Sequence, residues 1–119
     1  MLIGAGEAGR TLIQEIQNSR YLDQKICCVI DDNRRKIGRY ILGIRVVGDR
    51  NAIKRSVEHY GIEQIIIAIP SAGSRKIRPI LEICKDTGCE LKILPGVYQL
   101  VNGEVNVSKL RPVNIEDLL

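Results

Sequence analysis

Apolar residues fall along this chain in two rhythms. Unbroken apolar runs at Leu2-Ile3, at residues 26–30 and at residues 65–69 carry the pattern of strands buried on both faces of a parallel sheet. Between them, apolar positions recur three and four residues apart: Leu12, Ile13, Ile16; then Ile53, Val57, Tyr60; then Ile77, Ile80, Leu81, Cys84. This spacing predicts helices over 9–19, over 51–60 with Gly61 as its C-cap, and from an N-cap at Ser74 to just before Gly88. Pro79 falls inside the third helix and predicts an irregular first turn or a kink. Residues 43–48 form a short strand bracketed by glycines, read as an edge. Residues 89–93 alternate, as a strand nearer the sheet edge does. Segments 97–101 and 105–107 flank Asn102-Gly103, a strong signal for a hairpin. A last helix begins at Ile115.

Strands alternating with helices predict an α/β fold: a doubly wound, mostly parallel sheet with right-handed crossovers and a small C-terminal hairpin. Ligands of such sheets bind beyond the carboxyl ends of the strands, where strand order reverses. The segments that fall there are the loop after Leu2-Ile3, the end of the second strand, and the loop after residues 65–69.

The first of these loops is Gly4-Ala5-Gly6-Glu7-Ala8-Gly9, a G-x-G-x-x-G turn between a strand and a helix. Gly4 allows the tight turn, Gly6 lets a pyrophosphate approach the backbone, and Gly9 lets helix and strand pack closely. Free N–H groups at the helix start then face the phosphates. The second strand ends in Asp31-Asp32, about 20 residues on, where a carboxylate accepts hydrogen bonds from ribose hydroxyls. A carboxylate there favours NAD over NADP, whereas Arg34 and Arg35 are placed to accept a 2′-phosphate. The nucleotide-binding residues read from the sequence are Gly4, Ala5, Gly6, Glu7, Ala8, Gly9, Asp31, Asp32, Arg35, Pro70 and Ser71, with NAD or NADP as cofactor.

Composition narrows the function. At 119 residues the chain is one domain, short for a complete two-substrate enzyme. Aromatics are 3%, with no Phe or Trp, which leaves little to stack on bases and argues against nucleic acid. No run of 18 apolar residues predicts membrane insertion, and no basic signal-peptide start is seen, so a cytoplasmic domain is expected. The net charge of +4 gathers at Arg34-Arg35-Lys36, Arg39 and Arg75-Lys76-Arg78, either as solvated surface or as attraction for anionic phosphates. Cys27, Cys28, Cys84 and Cys89 form no C-x-x-C pair and are read as reduced, buried hydrophobes.

No catalytic set is visible. Tyr21-x-x-x-Lys25 has the spacing of the short-chain dehydrogenase pair, but it lies between the first helix and second strand, away from any nicotinamide. His59 sits late on a helix, between Glu58 and Tyr60. No metal-ligand cluster is present. The residues describe a binding module.

Residues 2–9, Val29-Ile30-Asp31-Asp32 with Lys36-Ile37-Gly38, residues 66–71, Ile93-Leu94-Pro95-Gly96 and residues 115–119 occur together in order. Over essentially the whole chain this set resembles the first, Rossmann-like nucleotide-binding domain of bacterial nucleoside-diphosphate-sugar epimerase/dehydratases of polysaccharide biosynthesis. The resemblance implies preceding membrane helices that anchor the parent protein at the inner face of a bacterial membrane. It also implies a following catalytic domain that carries NAD(P) and performs the 4,6-dehydratase or epimerase chemistry. Residues 1–112 would be the nucleotide-binding domain and 113–119 the start of the linker. The same pattern resembles the nucleotide-sugar-binding domain of some sugar acyltransferases. The alternative is therefore a non-catalytic module for a nucleotide-sugar or coenzyme A. The apolar face of the expected hairpin predicts a homo-oligomer.

Overall fold

The computed structural model describes residues 1–96 and 104–119. Among the described residues, seven strands form one sheet: β1 (Leu2–Ile3), β2 (Val29–Ile30), β3 (Tyr40–Ile41), β4 (Ile44–Gly48), β5 (Gln64–Ile67), β6 (Glu90–Ile93) and β7 (Arg111–Pro112). Their order is β3-β4-β2-β1-β5-β6-β7. The five inner strands are parallel, and the two edge strands β3 and β7 run antiparallel to their neighbours. Strand order reverses at β1, which pairs with β2 on one side and β5 on the other. The α/β doubly wound sheet predicted above is thus present.

The apolar runs are explained by what covers each face. Leu2, Val29, Val46 and Ile66 point to one side, where they pack with Leu12, Ile13 and Ile16 of α1 (Glu7–Asn18). Their neighbours Ile3, Ile30, Ile65 and Ile67 point to the other side, against Ile53 of α2 (Ile53–Tyr60) and Ile80, Leu81 and Cys84 of α3 (Ser74–Lys85). With both faces covered, neither strand position can be polar. Each such side chain contributes about 1.5–3 kcal/mol by burial. Truncating Leu12, which is fully buried, to alanine would cost about 2–5 kcal/mol.

Local chemistry sets the helix ends. α1 starts two residues before the expected helix, with Gly6 at its N-cap. A single 3-10 turn at Arg50–Ala52, capped by the Asp49 carboxylate on the Asn51 N–H, precedes α2. Gly61 ends α2 in the left-handed conformation (φ 63°) that its type suits. Gly73, not Ser74, is the N-cap of α3, and the Lys76 N–H bonds the Gly73 carbonyl three residues back, as in a 3-10 turn. α3 runs unbroken through Pro79.

Strand β4 is not the edge. It is shielded by β3, to which it is joined by a two-residue turn with Leu42 at φ 50° and Gly43 at φ 86°. At the other end, residues 97–103 of the expected hairpin, with most of the face read as driving self-association, lie outside the described residues. Val107 opens a 3-10 turn, Val107–Lys109, rather than continuing a strand. Its N–H is bonded by the Glu15 carboxylate at 2.7 Å, and Val105, Val107 and Leu110 pack on the α1 side. The chain then adds β7 and a short α4 (Ile115–Leu118), whose capping box joins Asn114 and Asp117.

No described helix is long and apolar enough to cross a membrane. All four cysteines are free; Cys28 and Cys84 are buried, whereas Cys27 and Cys89 are only half-buried.

Candidate functional site

The glycine loop joins the carboxyl end of β1 to α1, and its three glycines are required for three different reasons. Gly4 has φ +119°, and a Cβ there would stand 2.3 Å from the Ala68 carbonyl oxygen, so only glycine fits between β1 and the loop after β5. A Cβ on Gly9 would stand 2.0 Å from the Gly4 carbonyl oxygen, which fixes how closely α1 packs on β1. At Gly6 the backbone is extended (φ −85°) and a Cβ would meet no atom within 4 Å. At position 6 glycine serves as the N-cap of α1, and no described neighbour excludes a side chain there.

The loop is held from both sides by the segment after β2. The Asp31 carboxylate accepts the Ala5 N–H at 2.7 Å and, through its other oxygen, the Asn33 N–H at 2.8 Å. Lys36 Nζ donates to the Ala5 carbonyl at 3.3 Å. Both oxygens of Asp31 keep further lone pairs for a ribose. Asp32 is occupied differently. It accepts the Arg50 backbone N–H at 2.9 Å and the Arg50 guanidinium at 2.9 and 2.7 Å. Those bonds from Arg50 hold its carboxyl below the ordinary aspartate range, against a smaller opposing push from burial.

Two clefts open at the carboxyl ends of the strands, one on each side of Asp31. On the α1 side, a cleft of about 430 Å³ is lined by Gly6, Glu7, Ala8, Lys36, Pro70, Ser71 and Val105. On the other side, a cleft of about 320 Å³ has an apolar floor of Ile3, Ile30, Ile69 and Ile80 and a polar rim that includes Asp32, Arg50 and Lys76. Polar donors beside an apolar floor suit a ligand with a charged part and a flat apolar part.

The structure therefore brings Gly4, Ala5, Gly6, Glu7, Ala8, Gly9, Asp31, Asp32, Pro70 and Ser71 to one end of the sheet. Arg35 lies apart: its side chain is exposed and lines neither cleft, and its backbone N–H closes a turn on Asn33 Oδ1. Lys36 takes the place in the cleft expected of Arg35. Arg50 and Lys76 join the same cleft as Asp32, which sequence spacing does not reveal, because only the fold brings residues this distant in sequence to Asp32. Tyr21 is 97% exposed. His59 stacks edge-on against Tyr60 at 4.7 Å, and both line a groove at the opposite end of the sheet.

Strand order, switch point and glycine turn together define a Rossmann-like α/β domain. The chain belongs to the CoA-binding domain family, whose sequence model matches residues 1–95. It is homologous over its whole length to two polysaccharide biosynthesis proteins. It is 32% identical over 120 residues to the capsular polysaccharide biosynthesis protein CapD of Staphylococcus aureus. It is 31% identical over 119 residues to the probable polysaccharide biosynthesis protein EpsC of Bacillus subtilis (strain 168). The chain spans 20% of the length of each. Among solved structures, it is similar to UDP-D-quinovosamine 4-dehydrogenase from Vibrio fischeri, at 28% identity and a TM-score of 0.88, covering 99% of this chain and 94% of that one. The fold alone is shared with RSP, a Rex-family repressor solved with β-NADH, at 16% identity and a TM-score of 0.68, covering 98% of this chain and 53% of that one. The resemblance read from the motifs is borne out by these relatives.

Proposed function

We propose that this chain is a non-catalytic nucleotide-binding domain of a nucleotide-sugar 4,6-dehydratase or epimerase that acts in surface polysaccharide biosynthesis on the cytoplasmic side of the membrane. The ligand is an NAD-type dinucleotide. Its pyrophosphate lies over Gly6, Glu7 and Ala8, its ribose meets Asp31, and one of its rings rests on the apolar floor beside Ile69. Residues 1–112 form the binding domain and 113–119 lead toward the catalytic part of the parent protein, which supplies hydride transfer and acid/base chemistry. In this reading Asp31 favours NAD over NADP.

The observation that carries the proposal is the open space at Gly6. As the extended N-cap of α1 with no described atom within 4 Å of a Cβ position, Gly6 leaves room for a phosphate to approach the backbone closely. Calorimetry with NAD, NADP, UDP-N-acetylglucosamine and coenzyme A tests it. Gly6→Val is expected to abolish binding with an unchanged circular dichroism spectrum. Binding by Gly6→Val at the wild-type affinity would remove the glycine turn from the site.

Coenzyme A is the second reading. It is favoured by the CoA-binding domain family to which the chain belongs. Tighter binding of coenzyme A than of NAD in the same titrations would select it.

A further inference from the structure

Lys36 is a half-buried lysine whose ammonium group meets a backbone carbonyl rather than a carboxylate. Among the described residues its Nζ donates one hydrogen bond, to the Ala5 oxygen at 3.3 Å, and an ammonium carries three protons. The side chain lines the α1-side cleft together with Gly6, Glu7 and Ala8, the residues that open α1. Lys36 is the sole cation among the described residues of that cleft, and the sequence of 97–103 contains no Lys, Arg or His. Two carboxylates, Glu7 and Asp31, line the same space. The cleft thus carries more negative than positive side-chain charge, and a pyrophosphate would add two further charges. The helix N-terminus offers only about half an elementary charge against them.

Resting on the nucleotide-binding reading above, we propose that Lys36 recognises the pyrophosphate of the ligand as its counter-charge and that Arg35 does not. The turn after β2 is built to place it there. Asn33 accepts the Lys36 and Arg35 N–H groups, the Lys36 carbonyl accepts the Arg39 N–H, and Gly38 and Arg39 are bonded to Val46 of β4. The segment is therefore fastened to the sheet at both ends, and it delivers Asp31 to one side of the Ala5 residue and Lys36 to the other. Arg34, Arg35 and Arg39 point to solvent. The proposal concerns the pyrophosphate and not the nucleoside, so it applies equally to NAD, coenzyme A and a UDP-sugar.

Calorimetry of wild type, Lys36→Gln, Lys36→Met and Arg35→Met with NAD, coenzyme A and UDP-N-acetylglucosamine, each at low and high NaCl, tests it. Both Lys36 variants are expected to lose about ten-fold in affinity for every one of these ligands that wild type binds, the scale of one charge-assisted hydrogen bond. Arg35→Met is expected to change affinity by less than about two-fold, as exposed charges do. The salt dependence of binding should be flatter in Lys36→Gln, a readout that loosening of the loop would not produce. Wild-type affinity in Lys36→Gln would overturn the charge role, since glutamine retains a donor for Ala5. A loss confined to coenzyme A would also overturn it, because that pattern reports the separate phosphate monoester. If wild type binds none of the three, the nucleotide-binding reading fails and takes this proposal with it. If wild type binds and Lys36→Met binds equally well, only the assignment of Lys36 falls.

Discussion

Replacing Gly9 by alanine separates the packing function of the glycine loop from its ligand function. The new methyl group would stand 2.0 Å from the Gly4 carbonyl oxygen and 3.4 Å from Leu2 Cδ2. The oxygen cannot retreat, because Gly4 is itself wedged against the Ala68 carbonyl at φ +119°. Instead α1 must lift from the sheet by roughly 1 Å to restore ordinary contact, which loosens the packing of Leu12 and Ile13. Overpacking of this kind costs about 1–3 kcal/mol, and contact with backbone puts it at the upper end. The better helix propensity of alanine returns about 0.5–1 kcal/mol. The expected net loss is about 2 kcal/mol, read by urea denaturation, or a fall of about 8 °C in Tm for a domain of this size. Gly6→Ala is the control. With no neighbour within 4 Å it loses only the N-cap preference, about 0.5–1 kcal/mol. A Gly9→Ala protein as stable as Gly6→Ala would refute the claim that close contact between α1 and β1 sets the role of Gly9.

Three further outcomes follow from local features. Leu42 holds φ 50° in a turn that asparagine-glycine favours, so Leu42→Asn is expected to stabilise by about 0.5–1 kcal/mol; a lower Tm would show that its contacts outweigh the strain. Burial pushes the Cys28 thiol up to about 11 and that of Cys84 up to about 12, so an aromatic disulfide reagent at pH 8 should modify Cys27 and Cys89 in the native protein and the other two only after denaturation. The Asp117 carboxylate is held below its ordinary range first by hydrogen bonds from Arg111, which raises its own value in turn. A depressed folded-state pKa stabilises above the unfolded-state value and is lost as pH falls through the folded one. Asp117→Asn should therefore cost stability at neutral pH and converge with wild type as the pH falls well below about 4, which pH-dependent thermal melts would show.

Much of this domain is legible in the sequence because its signals are local. The unbroken isoleucines of β5 can be satisfied only with both faces covered, and Gly61 marks the end of α2 by its conformational freedom. The glycine turn is legible for the same reason, since three positions within one loop carry three steric demands. What escaped was set by distance or by exception. β3 is two residues long, and its turn begins with a leucine in a conformation where sequence patterns expect asparagine or glycine. The second arm of the expected hairpin has strand-like residues, yet Val107 is claimed by Glu15 from α1 and coils into a 3-10 turn. Arg35 and Lys36 are adjacent and equally basic in sequence; only the turn closed by Asn33 decides which of them faces the cleft. Asp32, likewise, reads as free for ribose until Arg50 is brought beside it.

The position of β1 has a consequence for how the chain assembles. The first strand of the sheet is its middle: Leu2 pairs with Val29 on one side and Ile66 on the other. The strands on either side of it, 29–48 and 64–112, share no edge with one another. During synthesis β1 is made before β2 and β5, so it has no complete partner set until β5 has been made. At about 5–20 residues per second that is a delay of several seconds. Throughout it, Leu2-Ile3 is an apolar strand without a sheet. The two halves, meanwhile, present the inner edges of β2 and β5 as unpaired templates. Folding of this domain is therefore a matter of insertion, in which the first strand of the sheet to be made is the last to be paired on both edges.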